Sequence, residues 1–195
     1  MKKVLAMLLA AVMVLSLVAC GGNDNAGNTG DSGDASGDTI KIALIANTTG
    51  DNAEYGISVR NGAMLYIDQL NANGGINGKQ IQVLEYDDKG DGVEAVNAFN
   101  LAMEQGITAV IGSVLTGPTI TLADATYEVN MPQISASATA QGVTQIDPDD
   151  ESAGIRTNVF RSCFIDPFQG QTMAHYAADK LGATTAAIHY ESGSD

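Results

Sequence analysis

The apolar positions of this chain form two alternating patterns, short continuous aliphatic runs and longer stretches with helical spacing. Ile40–Ala46 is the clearest short run, which is typical of a strand buried on both faces. Residues 58–73 place apolar side chains at helical spacing, and Gly74 and Gly75 then end the predicted helix. The same alternation predicts strands at 81–86, 108–111, 132–135, 159–161 and 186–189, and helices at 92–105, 118–129 and 168–181. This order predicts an α/β fold with a doubly wound parallel sheet.

The first twenty residues have the pattern of a secretory signal. A short basic start is followed by residues 4–19, which are apolar except for Ser16 and are short for a membrane span of about 20 residues. The segment ends Leu17-Val18-Ala19-Cys20, which resembles the lipobox of bacterial lipoproteins. We therefore expect a lipoprotein signal peptide at 1–19 and a lipid on Cys20 that anchors the protein to the cell membrane. The alternative is an uncleaved membrane anchor with an incidental cysteine.

Residues 20–38 are predicted to be a flexible linker. They are small or polar and cannot bury enough apolar surface to offset the entropy of ordering. Folded sequence is expected to begin at residue 39, with one lobe at 39–158 and the start of a second at 159–195. Because one helix and one or two strands cannot close a second sheet, we expect a truncated chain. The alternative is a complete one-domain protein with a C-terminal appendage.

The charge and the cysteine content exclude several classes of partner and site. The formal net charge is −14 at pH 7, which repels nucleic acid and anionic lipid head groups. The two cysteines are Cys20 and Cys163, and only Cys163 would remain outside the lipidated position. Neither a disulfide framework nor a cysteine-based zinc site can be built from them. No cofactor is expected.

The sequence offers weak candidates for catalysis and for metal binding among its remaining polar residues. Cys163 and His175 could suggest a nucleophile and its base, but no motif places an orienting residue and no nucleophile elbow is present. Acidic clusters occur at 87–91 and 147–151, and neither has EF-hand spacing. We therefore expect a protein that is not an enzyme and has no metal site.

Three loops at predicted carboxyl ends of strands are candidates for a ligand site, at 47–56, 112–119 and 135–139. In the second, Thr116 and Gly117 lie at a predicted helix start, with Pro118 as its first residue, where free N–H groups favour a carboxylate. The third offers hydroxyls and carbonyls for an ammonium group, and Tyr55 could cover the ligand. Together they predict a zwitterion site. Taken singly, Thr116 could simply cap its helix, and 135–139 could be an ordinary polar turn.

Several motifs in this order resemble the branched-chain amino-acid (Leu/Ile/Val) binding proteins of ABC importers. The most specific run is 71–79, Asn-Ala-Asn-Gly-Gly-Ile-Asn-Gly-Lys, and the others are Thr49-Gly50, Tyr55-Gly56, Asn61-Gly62-Ala63, Asp87-Asp88, Val110-Ile111-Gly112, residues 132–139, Phe160-Arg161 and Gln169-Gly170. The resemblance runs from residue 40 to about 191. It implies the two-lobed type I periplasmic-binding-protein fold, with this chain covering lobe 1 and only the start of lobe 2.

The resemblance also implies ligand-binding residues and a partner. Thr116 and Thr139 would bind the ligand through their hydroxyls, Ser137 through its backbone, and Tyr55 would form part of the pocket wall. Residues 160–162 would be the first hinge crossing, and the partner would be an ABC permease in the membrane. Departures from the family pattern are Ala136 for a frequent Pro, Gly117 for a frequent Ser, and a longer acidic loop at 145–155. They leave open an amide, urea or an aromatic acid as ligand, and a sensor for a membrane receptor as the role.

Overall fold

The computed structural model describes residues 39–190, which form a five-stranded parallel sheet with helices on both faces. The predictions for the signal peptide, Cys20 and the linker lie outside the described residues. The strands are β1 (Ile40–Ala46), β2 (Ile81–Asp87), β3 (Ala109–Ile111), β4 (Gln133–Ser135) and β5 (Val159–Arg161). The helices are α1 (Ala53–Ala72), α2 (Gly92–Glu104), α3 (Thr116–Glu128) and α4 (Asp166–His175).

The strand order is β2-β1-β3-β4-β5, and every neighbouring pair is parallel. The chain thus extends the sheet first to one side of β1 and then to the other, which makes it doubly wound. The α/β fold class is confirmed. The strand order reverses between β1 and β3. The connections that leave these two strands therefore run to opposite faces of the sheet, and a crevice forms between them at the carboxyl ends of the strands.

Alternate residues of β1 point to opposite faces of the sheet and build two separate cores. Ala43 and Ile45 belong to the larger core, which is completed by side chains of α2 and α3 that include Phe99 and Leu122. Leu44 and Ala46 pack on the other face with partly buried side chains of α1, namely Val59, Ala63 and Met64. A parallel strand covered on both faces needs apolar residues at every position, which explains the continuous run in the sequence.

Several element boundaries and one strand differ from the sequence predictions. Helix α1 begins at Ala53 rather than at residue 58, and α3 begins at Thr116 rather than at Pro118. The predicted strand at 186–189 is wrong, because these residues have no regular structure and are exposed. The last predicted helix is shorter, since α4 ends at His175 and a wider π-helical turn follows at Tyr176–Lys180. The acidic loop after β4 contains two short 3₁₀ turns, Gln141–Val143 and Glu151–Ala153.

Candidate functional site

A cleft of about 610 Å³ lies at the carboxyl edge of the sheet, between the loops that follow β1, β3 and β4. Its lining consists of Asn52, Tyr55, Gly90, Val114, Leu115, Thr116, Gly117, Pro118, Ser137 and Thr139. All four predicted ligand residues are in this set, so the structure brings Tyr55, Thr116, Ser137 and Thr139 together at one cleft. That they bind a ligand stays a prediction.

The start of helix α3 presents backbone donors to the cleft. The residue before the helix is Leu115, in an extended conformation, and no side chain caps the first turn. The Thr116 side chain therefore does not cap the start of the helix, which argues against the alternative that capping is its only role. Pro118 has no N–H, and the Thr119 N–H donates to the Leu115 carbonyl at 3.0 Å. The N–H groups of Thr116 and Gly117 remain at the positive end of the helix dipole, where they favour an anionic group.

Thr139, which also lines the cleft, is paired with a carboxylate that the sequence predictions missed. Its hydroxyl donates to Asp166 Oδ2 at 3.0 Å, and the Asp166 N–H donates to the Thr139 carbonyl at 3.3 Å. Asp166 is the first residue of α4 and is followed by Pro167, a pattern that marks a helix start in the sequence. The pattern could not show that this helix start lies against Thr139. A hydroxyl beside an exposed carboxylate forms a suitable acceptor pair for an ammonium group.

Tyr55 lies in the first turn of α1 because the helix begins earlier than predicted. Tyr55 is 56% exposed and lines the cleft. The helix start is tied to the end of β1, since the buried Asn47 side chain donates from Nδ2 to the Asn52 carbonyl at 2.8 Å. One turn into the helix, the buried Gly56 packs directly against the Asn47 backbone. These contacts fix where Tyr55 stands.

Asp87 organises the loop after β1 from the end of the neighbouring strand. Its Oδ1 accepts hydrogen bonds from the N–H groups of Thr48 (2.9 Å), Thr49 (3.3 Å) and Lys89 (3.0 Å). Partial burial opposes ionisation, but the hydrogen bonds from the Thr49 hydroxyl and these amides outweigh it and lower the pKa of Asp87. Asp87 is therefore a firmly ionised anchor rather than a free ligand group.

Asp88, the next residue, is completely buried beneath the cleft. It accepts hydrogen bonds from the Gly90 N–H at 2.9 Å and from the Ser113 hydroxyl. Burial raises the pKa of Asp88, and these hydrogen bonds offset only part of the effect. Both carboxylates are thus occupied by protein donors. Among residues 39–190, no cluster of three or more His, Cys, Asp or Glu side chains is arranged to hold a metal ion.

Cys163 and His175, the residues considered for catalysis, make separate contacts. The Cys163 thiol donates to the Ala138 carbonyl at 3.4 Å. His175 is exposed on α4, and its Nδ1 lies 3.7 Å from Asp179 Oδ2. Neither contact joins the thiol to the imidazole. Within residues 39–190, no helix is both long enough and apolar enough to cross a membrane.

Comparisons with known proteins match almost the whole described region. A family model described as periplasmic binding protein matches residues 39–194. A leucine-, isoleucine-, valine-, threonine- and alanine-binding protein of Pseudomonas aeruginosa is 34% identical over 154 residues, which is 79% of this chain and 39% of that protein. The Leu/Ile/Val-binding protein of Escherichia coli K12 is 30% identical over 152 residues, 78% of this chain and 39% of that protein.

A solved structure of a branched-chain amino acid binding protein is also similar to this chain. The branched-chain amino acid transporter substrate-binding protein LivJ of Streptococcus pneumoniae, in complex with isoleucine, superposes with a TM-score of 0.65 at 35% identity. The match covers 75% of this chain and 40% of that one. The chain therefore spans about two fifths of the length of the relatives it matches.

Proposed function

Because the chain belongs to the periplasmic binding protein family, we propose that it is the substrate-binding component of an ABC importer and captures a branched-chain amino acid. The observation that supports this most directly is that the uncapped start of α3 lines the same cleft as Thr139, whose hydroxyl is paired with the exposed carboxylate of Asp166. An α-amino acid carries a carboxylate and an ammonium group on one carbon, and the cleft offers a partner for each. The relatives named above are binding proteins for leucine, isoleucine and valine.

Each cleft residue then has a role. The N–H groups of Thr116 and Gly117, with the Thr116 hydroxyl, bind the ligand carboxylate. The Ser137 backbone carbonyl, the Thr139 hydroxyl and Asp166 accept from its ammonium group. Tyr55 closes over the ligand with its ring. An aliphatic ligand side chain finds apolar contacts on the lining residues Val114, Leu115 and Pro118.

The role in transport follows from the family and from the N-terminal sequence. Residues 1–19 act as a lipoprotein signal peptide, Cys20 is lipidated, and residues 20–38 tether an extracytoplasmic binding protein to the membrane. Residues 39–158 form the first lobe, and 159–195 hold the first hinge crossing and the start of the second. Ligand binding closes the lobes, and an ABC permease recognises the closed form. A Cys20→Ala variant released from the membrane fraction would support the anchor, and one that stays bound would contradict it.

Ligand identity is tested by thermal unfolding of the full-length protein against a panel of amino acids. A ligand at 100 times its Kd stabilises the folded state by about 2.7 kcal/mol, which raises Tm by several degrees. We expect leucine, isoleucine or valine to produce this shift. If no amino acid shifts Tm, the amino-acid assignment fails, and amides, urea and aromatic acids form the next panel.

Thr116→Val tests the assigned carboxylate site. The substitution keeps the backbone N–H and removes only the hydroxyl, so the affinity for leucine should fall about tenfold, the value of one hydrogen bond to a charged group. Thr108→Val is the control, because Thr108 is an exposed threonine that precedes β3 at the amino end of the sheet, and its hydroxyl donates to the Lys41 carbonyl at 3.0 Å. Equal affinities of the two variants would remove Thr116 from the site.

A further inference from the structure

Side chains at three alternate positions of β4 and its following loop donate to three consecutive backbone carbonyls of the loop after β3. We name these three hydrogen bonds the carbonyl ladder: Gln133 Nε2 to Gly112 O (2.9 Å), Ser135 Oγ to Ser113 O (2.8 Å) and Ser137 Oγ to Val114 O (2.8 Å). Backbone pairing between the two strands reaches the Gly112 N–H, which donates to Ile134 O at 2.8 Å. The ladder continues the connection beyond that point, as far as the cleft.

Ser135 is the centre of the carbonyl ladder because its hydroxyl touches both loops. Besides donating to Ser113 O, Ser135 Oγ accepts the N–H of Ala138 at 3.3 Å. Ser113 precedes Thr116 in one loop, and Ala138 precedes Thr139 in the other. Ser135 itself is completely buried and is not part of the cleft lining. The buried Ser135 hydroxyl therefore connects the loop that holds Thr116 to the loop that holds Thr139 without lining the cleft.

Other buried groups hold the ladder at its middle and inner hydrogen bonds. At the middle, the Ser113 hydroxyl donates to the buried carboxylate of Asp88. At the inner end, the buried Thr126 hydroxyl donates to Gln133 Oε1 at 2.6 Å, which orients the amide that donates to Gly112. A buried polar network in which the members satisfy one another holds a single geometry, because any displacement leaves a donor or acceptor unpaired.

The geometry points to Ser135 as a positioning residue that sets the spacing between the Thr116 and Thr139 loops, and through it the affinity for the ligand. This inference rests on the proposed amino-acid site, although Ser135 does not touch the ligand. Removing its hydroxyl leaves the Ser113 carbonyl and the Ala138 N–H, both in residues at most 1% exposed, without that partner. The loops can then separate or rotate, and the ligand must restore their spacing when it binds.

The test compares Ser135→Ala with Ile107→Val in the full-length protein. Ile107 is a buried core residue that precedes β3, at the amino end of the sheet, so its variant loses stability far from the cleft. Calorimetric titration with L-leucine should show Kd raised about tenfold in Ser135→Ala and unchanged in Ile107→Val. A purely structural role predicts instead that both variants lower Tm and keep the wild-type Kd, and this result would overturn the inference.

Amide hydrogen exchange of the ligand-free protein provides a second readout that does not depend on leucine binding. In Ser135→Ala, exchange should become faster at 113–117 and 136–139, and stay unchanged in β1 and at 120–128. If wild-type protein binds neither leucine, isoleucine nor valine, the proposed function fails, while exchange still decides whether Ser135 positions the loops. Wild-type exchange in both loops would overturn the inference. If Ser135→Ala does not fold, Ser135→Cys replaces it, because the thiol fills the same space and is only a weak donor and acceptor.

Discussion

Gly56 is a position where one added methyl group should affect both the fold and the site. A Cβ built there would lie 2.1 Å from the Asn47 carbonyl oxygen and 2.8 Å from Asn47 Oδ1, whereas real Cβ contacts stay above 3.0 Å. In Gly56→Ala the start of α1 must therefore move by roughly 1 Å. Asn47 cannot yield instead, because it is completely buried and its carbonyl belongs to the backbone that follows β1.

The expected cost combines three contributions. Alanine is better than glycine inside a helix by about 1 kcal/mol, which favours the variant. Overpacking of a close contact costs about 1–3 kcal/mol and sometimes more. Moving the helix also strains the Asn47–Asn52 hydrogen bond, worth about 1 kcal/mol. We expect Gly56→Ala to lower the free energy of unfolding by about 2 kcal/mol and to weaken leucine binding, because Tyr55 moves with the helix.

Gly62→Ala is the matched control on the same helix. A Cβ at Gly62 meets nothing within 4 Å, so only the helix preference acts and the variant should gain about 0.5–1 kcal/mol. Urea unfolding followed by circular dichroism measures both changes. Opposite signs are expected for the two variants. If Gly56→Ala is as stable as Gly62→Ala, the close approach of α1 to Asn47 does not control the helix position, and the reasoning is refuted.

Three further predictions concern charged groups. Arg156 is 5% exposed and donates to two carbonyls and to Asp124, so Arg156→Met should cost about 2–3 kcal/mol in urea unfolding. Arg60→Met breaks an ion pair that solvent screens and should cost clearly less. Asp87 has a lowered pKa, so its stabilisation is present above its unfolded pKa near 4 and is lost as pH falls through the folded value. Asp87→Asn should therefore destabilise the protein at pH 7, and this effect should shrink as pH falls through the folded value. Asp166→Asn should weaken leucine binding about tenfold in calorimetry while changing Tm little, because Asp166 is exposed. Equal costs for the two arginine variants, a pH-independent effect of Asp87→Asn, or unchanged leucine affinity would each contradict the corresponding assignment.

The sheet was predictable because its signals are local. Strand β1 has the predicted bounds, since a buried parallel strand requires a continuous aliphatic run. The start of α1 was missed because Gly56 and the polar residues before it lack helical apolar spacing, and the helix is held there by Asn47 instead. The strand predicted at 186–189 failed because an apolar run forms a strand only beside another strand, and pairing partners are not visible in a local pattern.

The candidate site was predictable only in part, because contacts between distant segments leave no local signal in the sequence. Tyr55, Thr116, Ser137 and Thr139 meet because they all follow the carboxyl ends of strands, a relation that holds for parallel sheets in general. Asp166 lies 27 positions from Thr139 and Ser113 lies 25 from Asp88, so no spacing in the sequence indicates these contacts. Side chains that join distant loops are set by the register of the sheet, which only the structure provides.

Among the described residues, those that line the cleft carry no formal charge, and the carboxylate assigned to the ligand is Asp166, which is paired with Thr139; the chain as a whole carries −14. Aligned amides attract a carboxylate only at contact distance. An approaching ligand therefore experiences the negative electrostatic potential of the protein surface first. A zwitterion has no net charge and approaches almost unhindered, whereas a dicarboxylate is repelled before it can reach the amides. The acidic surface would thus act as a kinetic filter, and capture of neutral amino acids should depend little on ionic strength.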